Sequence, residues 1–248
     1  MKKYFLFFMV AFASCAGAQN TAKMDFETYN PPSTLVVPEH KLTKSKFPFI
    51  DVHNHQFSMA TMDLNTLIKD MDKMNMKVMV NLSGQSGESI IKSAANIKDH
   101  FPNRFIVFAN IEFKNIGEAG WSENAANQLA EDVKNGANGL KIYKSLGLTV
   151  KDNKGIRVTV DDPRLDPIWK KAGELKIPVI IHTADPEPFW SPMDDKNERW
   201  LELASHPGRK RSDTDPAPWE ALIAEQHRMF KKHPNTTFIA AHFWLVSK

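Results

Sequence analysis

From Phe47 onward, short β-rich runs alternate with amphipathic segments of roughly ten to fifteen residues. No other feature constrains the fold as much, because strands joined through helices run back to the same end and lie parallel. Strands are expected over 47–52, 77–82, 104–109, 139–143, 177–182 and 237–241. A first helix is expected from Asp63 to Asn75, where Leu64, Leu67, Ile68 and Met71 fall at i, i+3, i+4 and i+7 and share a face. A second carries Ile90, Ile91, Ala94, Ile97 and Phe101 and is stopped by Pro102. A third, from about Ser122 to Asn135, ends at Gly136, a residue suited to a left-handed stop. Asp162-Pro163 and Asp166-Pro167 each combine a capping side chain with a first-turn proline, so either can open the next helix, which ends near Leu175. A last helix carries Trp219, Leu222, Ile223, Met229 and Phe230.

The polar residues of this layout fall at strand ends, where parallel α/β folds gather their functional groups. His53 and His55 end the first strand, Lys141 lies on the fourth, His182 ends the fifth and His242 ends the sixth. The other histidines, His40, His100, His206, His227 and His233, fall in helices or irregular stretches and read as solvated or structural. Alternation along Asp51-Val52-His53-Asn54-His55 directs Asp51, His53 and His55 to one face, where two imidazoles can reach one ion. Neutral imidazole ligates zinc and similar divalent metals, and a catalytic site typically takes three protein ligands and keeps one position open. A lone His-x-His says little; the histidines at matching strand ends downstream give it weight.

The 248 residues, 42% hydrophobic and 25% charged, suffice for one domain with a sizeable core. Residues 1–18 read as an export signal: Lys2 and Lys3, an apolar run from Tyr4 to Ala13, and small residues ending Ala16-Gly17-Ala18. That run is about ten residues, against roughly 20 needed to cross a bilayer. The single cysteine, Cys15, follows Phe12-Ala13-Ser14 and resembles a lipoprotein box, so both cleavage after Ala18 and lipid attachment at Cys15 stand open. The expected location is periplasmic or extracellular, with a lipid on Cys15 as the only membrane contact, and the folded part can hold no disulfide. Without Lys2 and Lys3 the formal charge of +3 becomes 3 − 2 = +1, which leaves no basic footprint for nucleic acid. Residues 19–46, with Pro31-Pro32 and Pro38, read as a linker and irregular extension ahead of a domain over 47–248.

Four runs together resemble the amidohydrolase superfamily, in its amidohydrolase-related branch, family two. They are Phe49-Ile50-Asp51-Val52-His53-Asn54-His55, Gly139-Leu140-Lys141-Ile142-Tyr143-Lys144, Pro178-Val179-Ile180-Ile181-His182-Thr183-Ala184-Asp185-Pro186 and Thr237-Phe238-Ile239-Ala240-Ala241-His242. The resemblance implies a (β/α)8 TIM barrel, of which about six of eight strand-helix units are present. It also implies a divalent metal, zinc being expected and one or two ions being open, with His53, His55 and His182 as ligands. His242 would bind a second metal or orient the attacking water. The implied reaction is attack of metal-activated water on an amide or ester bond of a small, anionic substrate. A divalent ion favours it by lowering the pKa of water from 15.7 toward about 7 and by polarising the carbonyl. Decarboxylation of a small unsaturated acid is the alternative reaction, and a non-catalytic, surface-anchored binding domain the alternative role.

Lys141 has three readings: a carbamylated bridge between two ions, a cation holding a substrate carboxylate, or a lysine paired with an inward acid such as Asp51. Lys144 nearby also suits an anionic substrate. The long stretch Thr183 to Asp215 starts at the mouth of the site; there Phe189 and Trp190 can roof a substrate, or Trp190 and Trp200 can anchor the loop to the rim. Arg199 can meet an anion, while Arg209-Lys210-Arg211 reads as a solvated turn. The sequence stops six residues after His242, ahead of the family's strand-eight aspartate, which ligates and acts as base. The expectation is a piece of a longer barrel, inactive alone. The alternative is a degenerate domain that binds without turnover or completes its open edges with another chain.

Overall fold

Strand β1 (Phe49–Asn54) pairs with β2 (Met76–Asn81), and β2 pairs with β3 (Phe105–Val107), in a computed structural model that describes residues 35–38 and 40–242. A second series runs β4 (Ala109–Asn110), β5 (Leu140–Ile142), β6 (Val179–Ile181) and β7 (Phe238–Ala240), and all these pairings are parallel. Only Phe108 separates β3 from β4. Its N–H donates to the Asn81 carbonyl at 2.9 Å and its carbonyl accepts from the Gly84 N–H at 3.1 Å, so the two sheets are one bent series of six strand positions. This is a parallel α/β arc, an incomplete TIM barrel, with strands within two or three residues of those expected. The expected export signal of residues 1–18, with Cys15, lies outside the described residues. The described residues from 40 to 242 form one compact unit, and residues 35–38 have no regular structure.

Local chemistry accounts for the helices. Helix α1 (Leu64–Met74) opens where the Asp63 carboxylate accepts from the Asn65 N–H, and closes on Asn75 at φ 66. Helix α2 (Glu88–His100) stops before Pro102, and α3 (Trp121–Lys134) before Gly136 at φ 115. Both Asp-Pro pairs are used. Asp162 caps a single 3-10 turn, Pro163–Leu165, which runs directly into α4 (Asp166–Glu174) with Pro167 in its first turn. The 183–215 stretch is less irregular than its composition suggests, since it contains two 3-10 turns and helix α5 (Trp200–Ser205). Helix α6 (Trp219–Lys232) leads into β7.

The two-residue period of the strands divides the core into two layers. Met79, Phe105, Val107, Leu140, Ile142, Val179 and Ile181 join Leu64, Ile68, Met71, Ile90, Leu129 and Ile168 of the helices in one cluster. Val80, Leu82, Phe108, Ile180 and Ala241 form a second. Lys141, between Leu140 and Ile142, therefore belongs to the inward face of β5. The outermost strands are less covered, and Ile50, Val52 and Ile239 are exposed.

Gly84 is where α2, β3 and the end of β2 meet. A Cβ there would stand 2.5 Å from the Phe108 carbonyl oxygen, 2.6 Å from Val107 Cγ2 and 2.7 Å from Ile90 Cδ1. Gly84→Ala is expected to cost about 1–3 kcal/mol in a urea unfolding titration through overpacking. Gly208→Ala, where a Cβ meets nothing within 4 Å, should stay within about 0.5 kcal/mol of the parent. Equal midpoints for both variants would contradict this packing.

Candidate functional site

The end of β1 is shaped by its own acid. The register with β2 slips between Asp51 and Asn54, and the Asp51 carboxylate accepts from the His53 N–H at 3.0 Å and from Asn54 Nδ2 at 2.8 Å. Simple alternation, which would send Asp51, His53 and His55 to one face, is broken there, and Asp51 braces the turn from which the imidazoles project. The rings of His53 and His55 are 5.3 Å apart between centroids, those of His53 and His242 5.1 Å, and those of His182 and His242 4.4 Å. Three strand ends, those of β1, β6 and β7, thus bring four histidines together.

Lys141 lies beneath them at 1% exposure, its Nζ without a hydrogen-bond partner among the described residues and 5.9 Å from the centroid of the Tyr143 ring. The pairing of Lys141 with an inward acid such as Asp51 is corrected here: Asp51 binds its own strand end, and among the described residues no carboxylate reaches Nζ. Burial lowers the Lys141 pKa from 10.5 to about 8. Burial first, then the Lys141 amine and the His242 and His55 rings, lower His53 from 6.5 to about 4. Burial, His242 and Lys141 bring His182 to about 3. His55 and His242 are lowered by burial and by Lys141 as well. All four rings are therefore neutral near pH 7 and offer lone pairs, which is the donor chemistry a divalent ion takes. Among the described residues no three His, Cys, Asp or Glu side chains are drawn together closely enough to hold an ion as they stand. The fit is one of donor type and neighbourhood.

Beside His182 and His242 opens a cleft of about 900 Å³, lined also by Lys144, Asp185, Phe189 and Arg199. Asp185 is buried and doubly paired: Lys144 Nζ donates to Oδ1, and Arg211 donates to Oδ2 at 2.8 and 3.0 Å. Lys144 thus reaches the cleft already paired, in a group of one carboxylate and two cations that keeps a net positive charge. Arg199 stands on the rim, 3.5 Å from Glu202. Trp190 is not among the lining residues. Its Nε1 donates to the Ala217 carbonyl at 2.8 Å and it packs against the buried cluster of Leu148, Ala184, Ala217 and Leu222, so it anchors the rim while Phe189 lines the cleft. The triplet 209–211 is more than a solvated turn: Arg211 holds Asp185, Arg209 holds Glu202 at 2.7 Å, and Lys210 Nζ donates to the Trp190 carbonyl at 3.2 Å.

Ser83, Tyr143, Asp185 and Arg211 had no site role in the sequence reading. Position relative to strand ends could have found the first three. Ser83 is two residues past the end of β2, Tyr143 is two past Lys141, and Asp185 is three past His182. Arg211 carries no local signal, because 26 residues separate it from its partner. Asp185→Asn removes a buried charge from two cations and should lower stability by about 2 kcal/mol or more in a urea titration. A loss within about 0.5 kcal/mol would mean that the triad contributes nothing beyond a surface pair.

The sequence model of the amidohydrolase family matches residues 116–248, more than half of the chain. No curated protein matches it. Among solved structures, 2,6-dihydroxybenzoate decarboxylase complexed with 2,6-dihydroxybenzoate is similar at 14% identity and TM-score 0.49, over 78% of this chain and 66% of that one. An amidohydrolase from Mycobacterium avium subsp. paratuberculosis is similar at 15% and TM-score 0.43, over 73% and 48% of the two chains. 5-Carboxyvanillate decarboxylase from Novosphingobium aromaticivorans, complexed with manganese and 4-hydroxy-3-methoxy-5-nitrobenzoic acid, is similar at 18% and TM-score 0.44, over 74% and 51%. The chain spans between 48% and 66% of the length of these three proteins.

Proposed function

The chain belongs to the amidohydrolase family, and we propose that it is a metal-dependent hydrolase of an amide or ester bond in a small, anionic substrate. The observation that carries the reading is the convergence of four neutral imidazoles, from three strand ends, over a buried amine that has no hydrogen-bond partner among the described residues. His53, His55 and His182 would hold a divalent ion, zinc by their nitrogen donors. When bound, such an ion supplies Lewis acidity toward water and toward the scissile carbonyl.

The remaining steps belong to the chain. His53, His55 and His182 stay neutral because burial and the Lys141 amine oppose their protonation, so their lone pairs are free at neutral pH. His242 is kept neutral by the same causes and serves as proton acceptor beside His53 and His182. Lys141, with a pKa of about 8, is mostly cationic at neutral pH and holds a substrate carboxylate unless it is carbamylated. Lys144 and Arg199 on the cleft wall add positive charge for the same anion, Lys144 after release from Asp185. Trp190 acts through the rim it anchors. Export to the periplasm or beyond, by cleavage before Gln19 or by lipid on Cys15, belongs to the same proposal and is read from the N-terminus of the mature protein by mass spectrometry.

Elemental analysis of the purified chain tests the reading directly. One or two divalent ions per chain are expected, lost in His53→Ala and His182→Ala and mostly retained in His242→Ala if a single ion is used. Lys141→Ala separates its two roles. Half the metal lost indicates a bridging carbamate, and unchanged metal with weaker binding of small carboxylates indicates a cation. A wild-type chain with no stoichiometric divalent metal would end the hydrolase assignment.

A further inference from the structure

We propose that Ser83 and Tyr143 are positioning residues that decide which ring nitrogen of His55 carries the proton. The inference rests on the proposed ligand role of His55 for its consequence only, since the tautomer is a property of the free protein. His55 Nδ1 lies 2.7 Å from Ser83 Oγ, Ser83 Oγ lies 2.7 Å from Tyr143 Oη, and Tyr143 Oη lies 3.2 Å from the Leu82 carbonyl oxygen. A neutral imidazole has one N–H, and Ser83 and Tyr143 have one O–H each. The carbonyl only accepts, so the last bond takes the tyrosine proton. Tyr143 must then accept from Ser83, and Ser83 must accept from His55. All three bonds exist together only when the ring proton sits on Nδ1. In the opposite tautomer Ser83 donates to Nδ1 and Tyr143 donates to Ser83, and the Leu82 carbonyl loses its tyrosine partner. Nδ1–H is therefore the state with one more bond, and Nε2 is left as the lone-pair nitrogen.

The backbone on both sides of this relay is tied to one side chain. Asn81 is fully buried; its Oδ1 accepts from the Gln56 N–H at 2.8 Å and the Ser83 N–H at 3.0 Å, and its Nδ2 donates to the Gln56 carbonyl at 3.0 Å. The residue after His55 is thereby fixed to the turn that carries Ser83. The Leu82 N–H also donates to the Asn54 carbonyl at 2.8 Å, which fixes the residue before it. The distance between the His55 ring and the Ser83 hydroxyl is thus set by the strand ends and not by a mobile loop. Orientation of this kind supports a ligand: partners of the non-ligating nitrogen typically change metal affinity about 10- to 100-fold when removed.

The test uses the whole chain, metal-free, with histidines labelled by nitrogen-15 and at a pH where the rings are neutral. Long-range proton–nitrogen correlation reads each tautomer, and His55 is assigned by its absence in His55→Gln. The wild type should show His55 protonated on Nδ1 and bare on Nε2. Tyr143→Phe, which keeps the ring but frees the Ser83 proton for Nδ1, should move the ring proton to Nε2. Ser83→Ala should leave a mixture of both tautomers, and the tyrosine variant remains readable if the serine variant is unstable. Titration with Zn²⁺ should show each variant binding about tenfold or more weakly than the parent. A wild-type His55 protonated on Nε2, or a Tyr143→Phe chain still protonated on Nδ1, overturns the inference. If the tautomers behave as stated and the wild type takes up no Zn²⁺, the metal reading fails while the positioning role of Ser83 and Tyr143 stands.

Discussion

Each central strand of this chain has to bury both of its faces. Helices cover one face, and the inward side chains must fill the other, so a residue's parity along β5 or β6 decides whether it meets α-helical Leu and Ile or the interior of the arc. Lys141 takes an inward position on β5, where its amine has no hydrogen-bond partner among the described residues. Its desolvation lowers its own pKa, and its residual charge opposes protonation of the four imidazoles above it. The neutral state of the histidine cluster thus follows first from the burial of each ring and then from the inward register of Lys141.

Rigid backbone ties give the cluster its positions. Asp51 holds the end of β1, and Asn81 joins the turn after His55 to the turn after β2. On the other side Asp185 collects Lys144 and Arg211 behind His182, and Trp190 fastens the following segment to Ala217. These polar side chains carry ordering information in a low-dielectric setting, where an unmade hydrogen bond is costly and a fully made network admits few alternative arrangements. The cleft and the histidines differ in this respect. The cleft wall is lined by exposed Arg199 and Glu198, whereas the histidines stand at strand ends.

Most of the architecture was legible in the chain itself. The heptad-like spacing of Leu64, Leu67, Ile68 and Met71 places α1, Asp63 and Asn75 bound it, and position at strand ends singles out His53, His55, Lys141, His182 and His242. These are local signals, dictated by backbone geometry and hydrophobic period within about a dozen residues. The choice between the two Asp-Pro openings was not legible, because both are compatible with a capped helix, and the chain uses them in succession. The 183–215 stretch was opaque for a related reason: it is tied down by Arg211 to Phe189 and Asp185 and by Trp190 to Ala217, and not by a period of its own.

By itself, then, the sequence determined a parallel α/β series and the histidines that end its strands, because repeating hydrophobic periods and strand-terminal polar residues need no partner to be recognised. Only the tertiary structure decided that Asp51 braces its own strand and leaves Lys141 unpaired, that Arg211 belongs to Asp185, that Trp190 faces the rim, and that Ser83 and Tyr143 stand behind His55. Those outcomes depend on a register slip and on pairs 26 to 60 residues apart, and the direction of a side chain across such distances is set by packing that no local pattern encodes.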